Sequence, residues 1–543
     1  MDLKEAVAKN PHLGAYLEAF KAQTGTTPDF HQTLSRSLKD LDMINVLYPV
    51  GDPIFIHIYD TPDRKRKYVA IEPALTPEEK VKYKQIKDLI LRLAPFEASP
   101  GGEDDLRKTL KKLYQKAVIV EGTGAAWNPA ARLLTRLNTK VQVTKQEHEK
   151  LEYFLVRNIV DHGPIEPIMR DPYMEDISSI GCDPIFVVHK LFDTVQTNVR
   201  FQDERELDDW IRNMSERMGR PVSESRPIVD ATLPDGSRIN VVYSSDVSAK
   251  GPSFTIRKFS DTPTSITQII RFGTMSVQVA AYLWLALENH QSIFVCGETA
   301  SGKTTSLNGM LAFVKPKDKM FTAEDTPEVR PPQPLWQQLV TRESGPEEGR
   351  VTMFDLLKAA LRSRPNYIIV GEIRGAEGNV AFQAMQTGHP VIATFHASSV
   401  GKMIQRFTSN PINVPITFMD NLNISLIQMA VYNKGKMLRR VLAVEEIEGY
   451  NEQAGGVLTR AVFKWDPVKD KHVFRGRNNS YILETKIAER IGLPDKRMIY
   501  EELDLRAKIL ERMIELGIFD YYEVNRIIAN YYDTGVKGLP FKL

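Results

Sequence analysis

The run Gly297-Glu298-Thr299-Ala300-Ser301-Gly302-Lys303-Thr304 has the spacing G-x-x-x-x-G-K-T of a phosphate-binding loop. Its glycines let successive backbone N–H groups turn inward onto phosphate oxygens. The Lys303 ammonium reaches the β- and γ-phosphates, and the Thr304 hydroxyl is placed to coordinate magnesium, with Thr305 completing the nucleotide-contacting run. A glycine-rich structural turn is the plain alternative. The apolar run Ser292 to Cys296 before the loop and the helical stretch after it favour the phosphate reading.

Binding alone is not hydrolysis, which needs a carboxylate beside the attacking water and stabilisation of charge at the γ-phosphate. Three segments offer those groups: Glu324-Asp325-Thr326-Pro327-Glu328, Gly371-Glu372-Ile373-Arg374, and His396. The second is a Walker B-like run in which Gly371 stands where many ATPases carry an aspartate, leaving Glu372 as its single carboxylate for water or magnesium. Glu324 and Glu328 divide between catalysis and a mere acidic turn. His389 and His396 do not make a metal pair, since no third ligand stands at suitable spacing.

These groups must be brought together by strands. Ser292 to Cys296, Lys319 to Thr322, Tyr367 to Val370 and Val391 to Phe395 are short, near-continuously apolar and separated by helical stretches. Strands buried on both faces with helices between them make a parallel sheet in an α/β layer fold. Ligands then sit at the carboxyl ends of the strands, where each of the four candidate segments begins. The tail reads as helices, with Leu505, Ile509, Met513 and Leu516 on one stripe, Gly517 as a stop, and Asp520 with Glu523 as a new cap.

Upstream, Thr76-Pro77-Glu78-Glu79 is a capping box opening a helix through Val81, Ile86, Leu89, Ile90 and Leu93. Gly101-Gly102-Glu103-Asp104-Asp105 and Gly122-Thr123-Gly124 read as loop or linker breaks. From about 131, apolar runs at Ile185 to Val188 and Ile239 to Val242 alternate with helical stretches at Leu151 to Val160 and Leu207 to Met218. The sequence therefore predicts an N-terminal extension over 1–130, partly helical and a candidate docking region, and an α+β domain over 131–258. A hinge linker over 259–267 and an α/β ATPase domain with a helical tail over 268–543 follow.

The 543 residues are too many for one core, and 42% hydrophobic with 26% charged is an ordinary globular composition. Lys+Arg 71 against Asp+Glu 69 gives a net charge of +2, so no global basic field points to nucleic acid. Cys182 and Cys296 are the only cysteines, which excludes a disulfide framework and a cysteine zinc cluster and suits a reducing compartment. The opening Met1-Asp2-Leu3-Lys4-Glu5 is not a secretory signal, and Phe272 to Leu287 falls short of the ~20 apolar residues that cross a bilayer.

The four boxes, in this order and spacing, resemble the Walker A, Asp box, Walker B and His box of the type II/type IV secretion ATPase superfamily, over roughly residues 140 to 450. Arg226-Pro227-Ile228-Val229-Asp230 and Leu233-Pro234-Asp235-Gly236-Ser237-Arg238 resemble that family's N-terminal domain, and Phe254-Thr255-Ile256-Arg257-Lys258 its domain junction. The missing tetracysteine motif, and Gly375 after Arg374 where bacterial members usually have aspartate, are more similar to the archaeal branch. The long N-terminal segment adds a likeness to the archaellum motor ATPase, with archaeal pilus-assembly or type II secretion ATPases as the alternative.

The resemblance implies a C-terminal RecA-like domain that binds ATP and Mg2+, preceded by a smaller α+β domain. It implies Lys303 and Thr304 on phosphate and magnesium, Glu328 as general base with Glu324 beside it, Glu372 on magnesium or water, and His396 sensing the γ-phosphate. It also implies a homo-hexamer whose sites are completed by Arg226, Arg238 and Arg257 from a neighbouring subunit. The partners implied are a polytopic membrane platform protein and accessory cytoplasmic motor proteins, which hold a cytoplasmic ring at the inner face of the cell membrane, with no nucleic acid. A nucleic-acid translocase and a non-catalytic nucleotide-gated scaffold are the rival readings.

Overall fold

Two large sheets organise the chain, which divides into units at Phe259/Ser260. The computed structural model describes residues 2–35, 38, 41–98, 101–121, 140–244, 246–259, 262–342, 347–433 and 436–543. The predicted breaks at Gly122-Thr123-Gly124, the 130/131 boundary, and residues 260 and 261 of the predicted linker lie outside them.

In the first unit the strands are β1 (Asp29–Phe30), β2 (Asn45–Pro49), β3 (Phe55–Asp60), β4 (Arg66–Ile71), β5 (Val118–Val120), β6 (Val141–Val143), β7 (Met174–Ile180), β8 (Phe186–His189), β9 (Asp193–Thr197), β10 (Ile228–Thr232), β11 (Arg238–Val242) and β12 (Ser253–Arg257). Ten of them form one sheet in the order β1-β2-β3-β4-β9-β8-β7-β12-β11-β10. The first 130 residues are therefore not a separate extension. β4 pairs in parallel with β9, Tyr68 opposite Thr197, and Ile44 to Ala70 share one core with Ile165 to Ile256. A second core gathers the helices Pro77–Leu93, Glu103–Ala117 and Lys145–Ile159 around the parallel pair β5–β6. The first of these starts as expected, Thr76 accepting from the Glu79 N–H while Glu79 reaches back.

Turn chemistry orders the hairpin β10–β11. Gly236 holds φ +87, a left-handed value that a side chain rarely adopts, and Asp235 accepts from the Ser237 N–H at 2.9 Å.

The second unit carries β13 (Ile293–Cys296), β14 (Met320–Glu324), β15 (Trp336–Val340), β16 (Tyr367–Ile373), β17 (Val391–Phe395), β18 (Ile424–Asn433), β19 (Lys436–Asn451), β20 (Gly456–Asp466) and β21 (Lys471–Phe474). Their order is β15-β14-β16-β17-β13-β18-β19-β20-β21. The pairs from β15 to β18 are parallel and the later ones antiparallel. The four predicted strands are β13, β14, β16 and β17, buried throughout apart from the polar carboxyl end of β16. The antiparallel extension from β18 onward had no counterpart in the motif-based reading.

The apolar run ending at Leu287 forms the helix Val277–Glu288, apolar on nearly every side and buried accordingly. It packs against the tail helix Ile499–Glu515, whose buried Arg506 pairs with Glu288 at 2.7 Å. The last helix, Tyr521–Thr534, starts at Asp520, which accepts from the Glu523 N–H as the sequence predicts. The helix Ile266–Arg271 is capped by Ser265, so ordered structure begins inside the segment expected to be linker. No helix among the described residues is long and apolar enough to cross a membrane.

Candidate active site

At the carboxyl edge of the parallel strands, β13 ends at Cys296 and the loop 297–302 leads into the helix Lys303–Met310. Gly297 is required by space: a Cβ there would lie 2.0 Å from the Gln428 carbonyl oxygen. Gly302 caps the helix at φ +89, a left-handed value that a side chain rarely adopts. The loop thus leads directly into a helix N-terminus, the kind of arrangement that binds phosphate.

Lys303 is buried, and its ammonium donates to the Glu298 carbonyl at 2.9 Å. Burial lowers its pKa, opposed by Glu372 first and then by Cys296 and Glu328. Ser301 Oγ donates to the same carbonyl at 2.8 Å. Glu298, Thr299 and Ala300 are exposed on the loop, and on the first turn of the helix Thr304 is half-buried and Thr305 exposed.

Glu372 sits at a break in register between β16 and β17, which pair at Val370 and again at Ile373. Such an irregularity re-aims a side chain at a strand end. The Arg374 guanidinium donates to Glu372 Oε2 through Nε at 2.9 Å. His396, the residue after β17, brings Nε2 within 2.7 Å of Oε1, but the ring is not aligned to donate and Oε1 keeps no hydrogen bond. Burial, then Lys303, lowers the His396 pKa, which favours the neutral ring. His389 precedes β17, about 17 Å from its far end for a five-residue strand, and takes no part.

Glu324 ends β14 fully buried, with Oε1 accepting from the N–H groups of Glu328 at 2.9 Å and Val329 at 2.8 Å. Burial pushes its pKa up to about 7 against those two donors. A Cβ on Gly371 would meet Glu324 Cγ at 3.1 Å, so Glu324 occupies the space that an aspartate at 371 would need. Glu324 thus shapes the acidic turn from behind, while the Glu328 side chain is half-buried at its end.

Lys303, Glu328, Glu372 and His396 are therefore brought together, with Glu324 behind them. The trans-arginine candidates lie in the first unit. Arg238 on β11 stands directly opposite Arg257 on β12, Arg257 lies 3.4 Å from Asp176, and Arg226 is exposed in a turn.

Two supports of the loop escaped the sequence reading. Gln428 on β18 donates from Nε2 to the Ser301 carbonyl at 2.8 Å, and Arg439 on β19 donates from Nε to the Ala300 carbonyl at 3.0 Å. Cys296, beneath the loop, is buried and its thiol is pushed up to about 12, so it is inert packing. Among the described residues no group of three His, Cys, Asp or Glu side chains could hold a metal ion by itself. Glu372 Oε1 is a buried oxygen without a hydrogen bond, 2.7 Å from His396 Nε2, and with the Thr304 hydroxyl it is the donor set that would serve a hydrated cation.

The family described as Type II/IV secretion system protein matches residues 158–428. An uncharacterised protein of Methanocaldococcus jannaschii is 59% identical over 543 residues, covering 100% of this chain and 98% of its own length. A putative conjugal transfer protein of Mycobacterium tuberculosis is 31% identical over 252 residues, 45% of this chain and 71% of that protein. Among solved structures, the pilus retraction motor PilT with bound ADP is 19% identical over 63% of this chain and 96% of its own, with a TM-score of 0.38.

Proposed function

The chain belongs to the type II/type IV secretion ATPase superfamily, and on that premise we propose that it is an ATP-hydrolysing motor that drives a membrane-anchored filament machine. The observation that carries the proposal is the meeting of Lys303, Glu328, Glu372 and His396 at one sheet edge around a phosphate-binding loop. A nucleotide-gated scaffold would need the loop but not the three other side chains.

In this reading the loop N–H groups and Lys303 take the β- and γ-phosphates, and the ammonium exchanges the Glu298 carbonyl for phosphate oxygens. Glu328 accepts the proton of the attacking water. Glu372, oriented by Arg374, and the neutral His396 ring bracket the γ-phosphate position. Bound magnesium would supply neutralisation of phosphate charge, held by Thr304 and, through water, Glu372. Arg226, Arg238 and Arg257 reach the site of the next subunit in a homo-hexamer. The like-charged pair Arg238/Arg257 stands directly opposed across two strands with Asp176 beside Arg257 alone, so a further anion would be favoured at Arg238, which supports that role.

ATP closes the second unit on the first across residues 259–267 and hydrolysis reopens them, and this movement is passed to a polytopic membrane platform protein with accessory motor proteins. The machine is the archaellum, on the likeness of the long N-terminal segment together with Arg374-Gly375 and the absence of a tetracysteine motif, which favour the archaeal branch. An archaeal pilus or secretion machine is the alternative, and membrane association comes through those partners.

The test is magnesium-dependent ATPase activity against protein concentration, beside Lys303→Ala and Glu328→Gln. Specific activity that climbs with concentration and vanishes in both variants supports sites completed between subunits. Flat specific activity with light scattering of a monomer refutes the trans-arginine mechanism, and wild-type turnover in both variants refutes the assigned site.

A further inference from the structure

Four segments distant in sequence meet at the far end of the P-loop helix. Asn308 is 7% exposed and spends both polar atoms on the acidic box: Nδ2 donates to the Glu328 carbonyl at 3.0 Å and Oδ1 accepts from the Arg330 N–H at 2.8 Å. Tyr521, 1% exposed at the start of the last helix, donates its hydroxyl to the Arg330 carbonyl at 2.8 Å and lies 3.4 Å from the Asn308 carbonyl. Just before it, the Ile518 carbonyl accepts from Thr267 Oγ1 at 2.9 Å and the Phe519 carbonyl from Ser265 Oγ at 2.7 Å. The Arg271 guanidinium stands over the Phe519 ring at 4.6 Å. Beside Asn308, a Cβ on Gly309 would lie 2.4 Å from Ile269 Cδ1, so the P-loop helix touches this same segment.

These bonds fix the main chain of Glu328 from two sides. Its N–H is held by Glu324 and its carbonyl by a side chain on the helix that carries Lys303 and Thr304. The distance from the P-loop helix to the acidic box is thereby set by side-chain bonds from that helix as well as by the turn itself, where the Glu328 N–H also meets the Thr326 carbonyl at 2.9 Å. Through Tyr521 the same box is tied to residues 265 and 267, where the chain enters the second unit.

We propose that Asn308 and Tyr521 are positioning residues for Glu328, which lock the acidic box to the P-loop helix and connect it to the segment leaving the interdomain linker. The proposal rests on Glu328 acting as general base. A carboxylate displaced by about 1 Å from its productive pose costs up to about a hundredfold in rate. Ordered hydrogen-bonding side chains that act through one residue lose their effect when that residue's function is removed, which a double-mutant cycle detects.

The experiment is single-turnover ATP hydrolysis and ADP binding by the full chain, for Asn308→Asp, Tyr521→Phe, Glu328→Gln and the two doubles with Glu328→Gln. Asn308→Asp keeps the acceptor for Arg330 and turns an oxygen toward the Glu328 carbonyl; Tyr521→Phe keeps the packed ring and guards against failure to fold. The expected result is a loss of about tenfold or more for Asn308→Asp and a few-fold for Tyr521→Phe, with ADP affinity within about threefold of wild type and less than about twofold further loss in the Glu328→Gln background. Ser265→Ala with Thr267→Val is expected to slow hydrolysis in wild type but not in Tyr521→Phe.

Equal losses in both Glu328 backgrounds, or loss of ADP binding in parallel with rate, overturn the positioning role. A wild-type rate in Ser265→Ala/Thr267→Val overturns the connection to the linker. A wild-type rate in Glu328→Gln alone overturns the general-base reading itself, and is seen without reference to Asn308.

Discussion

Glu324 offers a quantitative test of the acidic box. Its carboxyl is fully buried and its pKa stands at about 7 instead of 4.5, because burial of the anion outweighs the two N–H groups it accepts. At about 1.4 kcal/mol per decade, that displacement places a penalty on the order of 3 kcal/mol on the ionised form in the folded protein. The folded state holds the proton more tightly than the unfolded chain. Between pH 4.5 and about 7 it therefore binds more protons, and stability falls as pH rises through that window. Below 4.5 the penalty is absent, and above about 7 it is fully present.

Glu324→Gln keeps an acceptor for the Glu328 and Val329 N–H groups and abolishes the titration. Calorimetry should follow the unfolding transition that ADP raises, since that one belongs to the nucleotide-binding unit. The melting temperature of the variant minus that of wild type should climb by several degrees between pH 5 and pH 8 and then level off. A constant offset from the changed side chain does not matter, because the slope carries the test. A difference that stays flat across this range would refute a neutral buried carboxyl at position 324.

Three further outcomes follow from contacts at the same edge and in the first unit. Gly297→Ala drives a Cβ to within 2.0 Å of the Gln428 carbonyl and should weaken ADP binding at least about tenfold, with about 1–3 kcal/mol of overpacking, as read by fluorescent-ADP titration and thermal unfolding. Gly371→Asp introduces the aspartate that many ATPases carry there but collides with Glu324, so it should destabilise the protein, and Gly371→Asp/Glu324→Gly should recover most of the loss in melting temperature. Arg238→Gln relieves a like-charged pair across β11 and β12, so thermal stability without nucleotide should hold or rise by a few tenths of a kcal/mol while ATPase activity falls at least about tenfold.

The candidate site segments were legible because each is announced by local pattern: an apolar strand, then a break into polar residues at its carboxyl end. That rule located Lys303, Glu372 and His396 without knowledge of strand order, while it left Glu324 and Glu328 open and the family resemblance chose Glu328. Gln428, Arg439, Asn308 and Tyr521 were not legible, since each binds a distant main-chain carbonyl or N–H. A backbone partner has no residue type, so no spacing in the sequence betrays it. The same limit hid the membership of Ile44 to Ala70 in the large sheet. The parallel contact of Tyr68 with Thr197 spans a distance in sequence over which Gly and Pro punctuation reads as a domain boundary.

The acidic and basic halves of the site differ in how they are held. Glu324 accepts from the N–H groups of Glu328 and Val329, and Asn308 from that of Arg330, so residues 328–330 are bonded before nucleotide arrives. Lys303, Ser301, Gln428 and Arg439 instead donate to carbonyls of the loop itself, at residues 298, 300 and 301, and Lys303 must leave its carbonyl to reach phosphate. Nucleotide should therefore reorganise the loop and leave the acidic box as it is. Amide hydrogen exchange measures both at once. With ADP, residues 298–303 should gain protection of tenfold or more on the order set by binding, while residues 328–330, already slow without nucleotide, should change by less than about twofold. Equal gains in the two segments would mean that the box is assembled by the ligand, and would remove the helix-anchored account of how Glu328 is placed.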